Sequence, residues 1–403
     1  MRKSNKKLSK KLLSMCVLLT MPVLGYAENN YDTLKKEIEQ LRKDVEKGSN
    51  YTPNSLIHLS GYADVGYVKT DADGDDGSFN VGSFAPIFHY QYRDIVMLES
   101  ELEIEIGDDG ETETKLEYLT IDFFINDNMA FVAGKFLSPI GQFRQNIHPS
   151  WINKFASAPP GFGHDGAAPV SDLGFQLRGG INLNGMKANY AIYAGNGPEL
   201  KAEIEADAAD DSVIEAIELD GVNAEAFGAD RDGEKVVGGR FGLLPIPSLE
   251  IGLSVLTGRA TITSFEAGEF TGVEPTLNNE TSRDYDVIGA DISWQSKNTD
   301  VRYEYIKSEV GDLATSVADE GAEWETWYAQ VAYKFLPGKY EFVIRYTEFD
   351  SPHASADIDQ VGFGVNYLFT SSFIGKIGYE SNDNPNAGFE ADDKWLLQLA
   401  YGF

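Results

Sequence analysis

The chain has 403 residues, with 64 Asp and Glu against 33 Lys and Arg and a formal net charge of −31. An acid excess of that size argues against nucleic acid as a partner, because phosphate binding needs clustered Lys and Arg. The one cysteine, Cys16, excludes a disulfide framework.

Residues 1–27 read as a secretory signal peptide. Arg2, Lys3, Lys6, Lys7, Lys10 and Lys11 precede an apolar run from Leu12 to Gly25, and Gly25-Tyr26-Ala27 offers a small-residue cleavage site. The run is too short for a transmembrane helix and contains Pro22, and Met15 before Cys16 spoils a lipoprotein-type box. The 376 residues that follow hold 27 basic and 64 acidic side chains, a formal charge of −37. No stretch among them approaches about 18 consecutive apolar residues, so any membrane association must use amphipathic strands.

Within 28–50, Leu34, Ile38, Leu41 and Val45 repeat at spacings of four, three and four, a short heptad seam. The segment reads as a periplasmic coiled-coil helix or as a solvated amphipathic linker, and the Gly, Ser, Asn and Pro of 48–54 end it.

From Leu56 the period changes to two. Tyr340, Phe342, Ile344 and Tyr346 alternate with Glu341, Val343, Arg345 and Thr347, and Trp395, Leu397, Leu399, Tyr401 and Phe403 alternate with Leu396, Gln398, Ala400 and Gly402. One face is apolar and aromatic and the other small or polar, the pattern of a membrane barrel strand. Alternation and turn residues predict sixteen strands over 56–69, 83–92, 95–106, 113–125, 129–137, 172–183, 186–195, 235–244, 248–259, 284–296, 300–310, 323–335, 339–349, 357–369, 372–381 and 393–403. The connections alternate tight (92–94, 126–128, 184–185, 245–247, 297–299, 336–338, 370–371) and long (70–82, 107–112, 138–171, 196–234, 260–283, 311–322, 350–356, 382–392). That order predicts an all-β, 16-stranded antiparallel transmembrane β-barrel over 51–403, with short turns at one end and loops at the other.

The third long connection, 138–171, holds Ile140, Phe143, Ile147, Trp151, Ile152, Phe155 and Phe162 among Gly and Pro, so it can fold inward and pack. The alternative is a loop capping the rim. An inward loop narrows the wide lumen of such a barrel.

Gly134-Lys135-Phe136-Leu137-Ser138-Pro139-Ile140-Gly141, then His148-Pro149-Ser150-Trp151, and the terminal Tyr401-Gly402-Phe403 resemble the phosphate-selective porins and their less selective relatives. The resemblance implies a homotrimeric 16-stranded porin with an inward third loop, held in outer-membrane lipid and lipopolysaccharide. The terminal Phe is similar to the signal read by the outer-membrane assembly machinery. Phosphate-selective members line the pore with many Arg and Lys, whereas this chain is rich in acid.

Period two places Glu99, Glu101, Glu103 and Glu105 opposite Leu98, Leu102, Ile104 and Ile106, an acidic stripe expected in the lumen with Glu117 beside it. The same reading puts Lys135, Arg178, Arg240, Arg302, Lys334, Arg345 and Lys376 inside, with Tyr62 and Gln176, so that base faces acid across the pore. Pairing of Arg302 with Glu304 or Arg345 with Glu341 merely to anchor the wall is the alternative. In the third connection, Arg144, His148, Lys154 and His164 are basic, and Arg144, His148 and Lys154 are expected on the constriction.

The segment 199–234 carries 13 Asp or Glu against Lys201 and Arg231 and reads as an exposed, partly disordered or short-helical loop. Asp71-Ala72-Asp73-Gly74-Asp75-Asp76-Gly77 has Asp at alternate positions but fails the helix-loop-helix calcium pattern, leaving a plain solvated loop or a loose divalent contact to lipopolysaccharide. No G-x-S-x-G, H-E-x-x-H or Cys site follows the signal, so no enzyme, cofactor or metal centre is expected. The expected function is passive diffusion of small hydrophilic solutes and ions, with an anion or phosphate porin, or a structural barrel that tethers the envelope, as alternatives.

Overall fold

In the computed structural model, residues 55–403 are described apart from 73, 108–109, 164–165, 208, 224–231, 267–269 and 336–337. The expected signal peptide, the heptad segment within 28–50 and His164 lie outside the described residues.

Strands whose two faces differ in polarity must bury one face or surround it with apolar matter, and closing the sheet removes the unpaired edges. Sixteen strands do this here: β1 (Ser55–Thr70), β2 (Ser78–Tyr92), β3 (Val96–Ile106), β4 (Thr112–Asn126), β5 (Met129–Leu137), β6 (Ser171–Leu183), β7 (Met186–Gly195), β10 (Val236–Ile246), β11 (Leu249–Ala260), β13 (Arg283–Gln295), β14 (Thr299–Val310), β15 (Ala322–Phe335), β16 (Tyr340–Asp350), β17 (Ile358–Leu368), β18 (Phe373–Asp383) and β19 (Lys394–Gly402). Each pairs antiparallel with its neighbour, and β1 against β19 closes the barrel, with Tyr62 opposite Gly402 and Thr70 opposite Lys394. All sixteen predicted segments are strands. The largest boundary difference is at β2, which starts five residues before the predicted 83. A register shift opposite Ala63 and Val65 interrupts the period there and hid its first part.

The faces are inverted relative to a soluble protein. On β11, Ile251, Leu253 and Val255 are exposed while Ser254 and Leu256 are buried. On β16, Tyr340, Phe342 and Ile344 are exposed while Glu341, Val343, Arg345 and Thr347 are buried. Outward apolar residues recur on every strand pair, a surface far larger than water tolerates. Aromatic rings edge this band. A chain of ring contacts runs Phe335–Tyr340–Tyr367–Phe369–Phe373–Tyr401–Phe403–Phe84 at the short-turn end, and Tyr303–Trp327–Tyr346 and Tyr379–Trp395 lie nearer the loop end.

The acidic segment 199–234 departs from its predicted loop. It forms β8 (Glu199–Asp207) and β9 (Asp210–Asn223), an antiparallel pair joined in parallel by β12 (Ile262–Glu266) from the following connection. Leu200, Ala202, Ile204 and Leu219 form a buried face on this sheet, and Leu200, Ala202 and Leu219 pack in one apolar cluster with Val236, Ala260 and Ile262. High charge on the other face masked a period of two that the segment does contain.

Candidate functional site

The third connection, 138–170, is bonded to inward-facing side chains of strands far around the barrel. At its start Gly141 has φ +74, and its N–H donates to Ser254 Oγ at 3.0 Å. A side chain at Gly141 would strike the Glu304 carboxylate, which accepts from the Gln142 N–H at 2.8 Å and the Phe143 N–H at 3.3 Å. These bonds lead into a single π-helical turn, Phe143–Ile147. Its apolar side chains join Ile140 and Phe162 in a buried cluster with Tyr285, Ile306 and Tyr328 of the wall.

Farther on, Phe155 seats on glycines. A Cβ at Gly362 would come within 2.9 Å of its ring, so the small inward face of β17 exists to admit it. The Arg345 guanidinium lies over that ring at 4.5 Å and is wholly buried. It donates to Ser157 O at 3.1 Å, Ser157 Oγ at 3.0 Å, Gln360 at 2.9 Å and Glu380 at 2.9 Å, while Ser157 Oγ also bonds Glu380. Lys376 donates to the Ser150 and Phe155 carbonyls at 2.5 and 2.9 Å, and Lys154 pairs with Glu341 at 3.1 Å. Trp151 packs over Gly402 of β19. The connection is thus fastened to β11, β14 and β16–β19.

A cavity of about 790 Å³ lies between Gln142, Gln145, Asn146 and Ile152 of the connection and the walls of β3–β7, β10, β11, β13 and β14. Its charged lining is Glu99, Arg178, Arg240, Glu250 and Arg302, set among the amides of Gln176, Asn189 and Gln295 and the rings of Tyr118 and Tyr190. Every guanidinium there has a carboxylate partner. Arg178 pairs with Asp122, Arg240 chelates Asp291 at 2.7 and 2.8 Å and reaches Glu250 at 3.0 Å, and Arg302 pairs with Asp300 at 2.8 Å. Glu250 also accepts from Asn189 at 2.9 Å and Gln142 at 3.0 Å, so one carboxylate ties wall to connection.

On β3 and β4 the acid is less compensated. A register shift after Glu101 turns both Glu117 and Tyr118 inward beside Glu101 and Glu103. Tyr62 donates to Glu101 at 2.8 Å, His89 meets Glu99 at 3.1 Å, and Lys115 meets Glu105 at 3.2 Å.

Most residues singled out in the sequence face inward, but several do something else there. Lys135 is a correction. It stands opposite Leu119, in step with outward Phe131, so it lies on the outer face and its ammonium donates to the Leu116 carbonyl at 2.7 Å. Gly134, with φ +132 and a close approach to the Leu119 carbonyl, takes the inward position instead. Arg302 pairs with Asp300 rather than Glu304, and Arg345 with Glu380 rather than Glu341, because Glu304 and Glu341 are occupied by the third connection. Arg345 is covered by that connection and does not reach the open cavity. Arg144 is buried, His148 lies 3.9 Å from Glu101 with Nδ1 on the Arg144 carbonyl, and Lys154 points at the wall. The side of the connection that meets the cavity is made of Gln142, Gln145, Asn146 and Ile152. Their signal was weak: neutral amides carry no charge pattern, and a connection has no period to give direction.

Asp75 is used inside its own loop. It accepts from the Thr70 N–H at 2.7 Å, the Thr70 hydroxyl at 2.5 Å and the Gly77 N–H at 2.6 Å, and these bonds hold its carboxyl down at about 2.

No family model matches the chain, and no curated protein matches it by sequence. Solved structures do match in fold. An anion-selective porin from Comamonas acidovorans superposes with a TM-score of 0.57 at 14% identity, over 87% of this chain and 100% of that one. The trimer form of OmpT, an outer membrane protein of Vibrio cholerae, gives 0.53 at 12%, over 87% and 100%. The outer membrane channel DcaP of Acinetobacter baumannii gives 0.53 at 12%, over 87% and 98%. At such identities the likeness is one of fold.

Proposed function

We propose that this chain is an outer-membrane porin of a Gram-negative cell, giving passive diffusion to small hydrophilic solutes with a preference for cations. The observation that carries the reading is the open polar cavity of about 790 Å³ inside a closed barrel whose outer face is apolar and edged by aromatic rings. In this reading the third connection is the constriction. Its bonds to Glu304, Glu341, Glu380 and Arg345 hold it across the lumen, leaving the amides of Gln142, Gln145 and Asn146 at the edge of the passage. Amide, hydroxyl and phenol groups replace a solute's hydration shell without choosing one charge, so passage follows size first.

Charge acts second. Arg178, Arg240 and Arg302 are neutralised by Asp122, Asp291 and Asp300, while Glu99, Glu101, Glu103, Glu105, Glu117 and Glu250 exceed the nearby Lys115. The loop-end mouth adds a second cavity lined by Glu218, Glu320, Glu323, Glu325 and Asp350. Carboxylates in a low-dielectric passage attract cations and repel anions. An anion- or phosphate-selective pore would need guanidinium or ammonium groups free of such partners. Homotrimers, contact with lipid and lipopolysaccharide, and delivery by the assembly machinery through terminal Phe403 belong to the same proposal; OmpT of Vibrio cholerae, one of the structures similar in fold, has a trimer form.

Swelling of liposomes holding the purified protein tests it. Neutral sugars should enter at rates that fall smoothly with size and rise linearly with concentration. Saturation at low concentration would instead indicate a dedicated binding site.

A further inference from the structure

The polar face of the β8–β9–β12 sheet meets the connection 351–357 at a histidine whose surroundings an ion pair does not explain. His353 Nε2 is buried, lacks a hydrogen-bond partner and lies 3.9 Å from Asp220 Oδ1. Its other nitrogen, Nδ1, lies 3.9 Å from Glu218 Oε2. Both distances are too long for hydrogen bonds. Glu203 of β8 completes the group: one donor atom each from Glu203, Asp220 and His353 lie within 4.8 Å of one another. Asp220 is divided between two tasks, for its Oδ2 meets Lys201 at 3.2 Å while Oδ1 faces the imidazole.

We propose that Glu203, Asp220 and His353 bind a divalent transition ion of the zinc class, which staples the outer sheet to the 351–357 connection. A zinc ion with bonds of about 2.0–2.2 Å spans at most about 4.2 Å between two donors and wants about 3.4 Å in a tetrahedron. The 3.9 Å gap between His353 and Asp220 is thus one that an ion can bridge and a proton cannot. The widest pair must close by about 1.4 Å for a tetrahedral site, a shift within reach of side-chain torsions alone.

The surroundings follow the same logic. A ligating imidazole commonly gives its second N–H to a carboxylate, and Glu218 stands at that nitrogen; Lys201 steadies the carboxylate oxygen that does not ligate. An imidazole beside two carboxylates favours zinc-class ions over calcium or magnesium, which take all-oxygen sets. Water fills the remaining position. The donors stand at 203, 220 and 353, a spacing no sequence motif announces, and the sheet that unites them was not legible as a sheet. The site does not depend on the pore reading.

The test is zinc titration of the full-length folded barrel in detergent by calorimetry, with cobalt substitution read by visible absorption. One ion per chain should bind in the micromolar range or tighter, and cobalt should show the intense bands of a four-coordinate site. His353→Ala should weaken binding by at least about tenfold and abolish those bands, Glu218→Gln should weaken it by about tenfold, and Glu320→Gln should leave it unchanged. Glu203→Gln serves as a second ligand variant if His353→Ala does not fold. Absence of saturable binding below millimolar zinc, or equal binding by the wild type and a folded ligand variant, would overturn the proposal. In that case His353 is a side chain packed between Glu218 and Asp220 with no ion to join them.

Discussion

Replacing Arg345 by Met separates an anchor from a pore charge. Arg345 is fully buried and Glu380 is 2% exposed, so Arg345→Met leaves a carboxylate in a site that water does not reach. Breaking a buried pair in this way costs about 3–5 kcal/mol, mostly because the surviving charge is unpaired. Adding Glu380→Gln removes that charge and keeps a group able to bond Ser157 Oγ. What stays lost in the double variant is the contact over Phe155 and the bonds to Gln360 and to the Ser157 and Ala158 carbonyls, about 2 kcal/mol together. The double variant should therefore be more stable than Arg345→Met by about 2 kcal/mol, measured as resistance to denaturant-induced unfolding of the barrel in detergent. Single-channel recordings should run in parallel: the single variant gives noisier and larger currents as the third connection loosens, and the double variant recovers most of the wild-type trace. A single variant as stable and as quiet as the wild type would refute the assignment of Arg345 as the anchor, and so would a double variant no better than the single one.

Gly362→Leu should act on the same contact from the wall side. Its side chain meets the Phe155 ring, an overpacking cost of about 1–3 kcal/mol, and current noise should rise without loss of the closed barrel as judged by heat-modifiable electrophoretic mobility. Gln145→Arg puts an additional cation at the edge of the cavity and should move the reversal potential toward anions, whereas Lys154→Ala, at a side chain turned to the wall, should move it far less. The loop at Asp75 should depend on acid. Its folded pKa of about 2 lies below the ordinary 3.8, so the bonds to Thr70 and Gly77 contribute fully above about pH 4 and are lost as pH falls through about 2. Hydrogen-exchange protection at Thr70 and Gly77, corrected for intrinsic rates, should drop over that window and be absent at every pH in Asp75→Ala.

The wall was legible because a barrel strand repeats one physical requirement at every second residue. Tyr340, Phe342 and Ile344 announce an apolar outside as plainly as Glu341 and Arg345 announce a polar inside, and the short turns between strands fixed the count. Lys135 misled because a single glycine precedes it: Gly134 takes the inward site that parity suggested for a charge, and only the pairing with Leu119 settles the face. β8 and β9 were hidden by 13 carboxylates in one stretch, which outweighed the alternation of Leu200, Ala202 and Ile204. The lumen was legible as charges but not as pairs. Arg178, Arg240 and Arg302 look like a basic face in sequence, and the partners that neutralise them stand on other strands or, for Arg302, two residues away on its own. Which side of the third connection meets the cavity could not be read, since Gln142, Gln145 and Asn146 follow no period.

The central claim is a diffusion pore in which carboxylates outweigh paired guanidiniums. Reversal potential of the purified, folded protein in a planar lipid bilayer under a potassium chloride gradient tests it most directly. The account predicts discrete conductance steps and a potential of the sign that marks potassium as the more permeant ion, shrinking toward zero as salt rises and screens the lining. A potential of the opposite sign would contradict the charge argument, and folded protein with no conductance would contradict the pore.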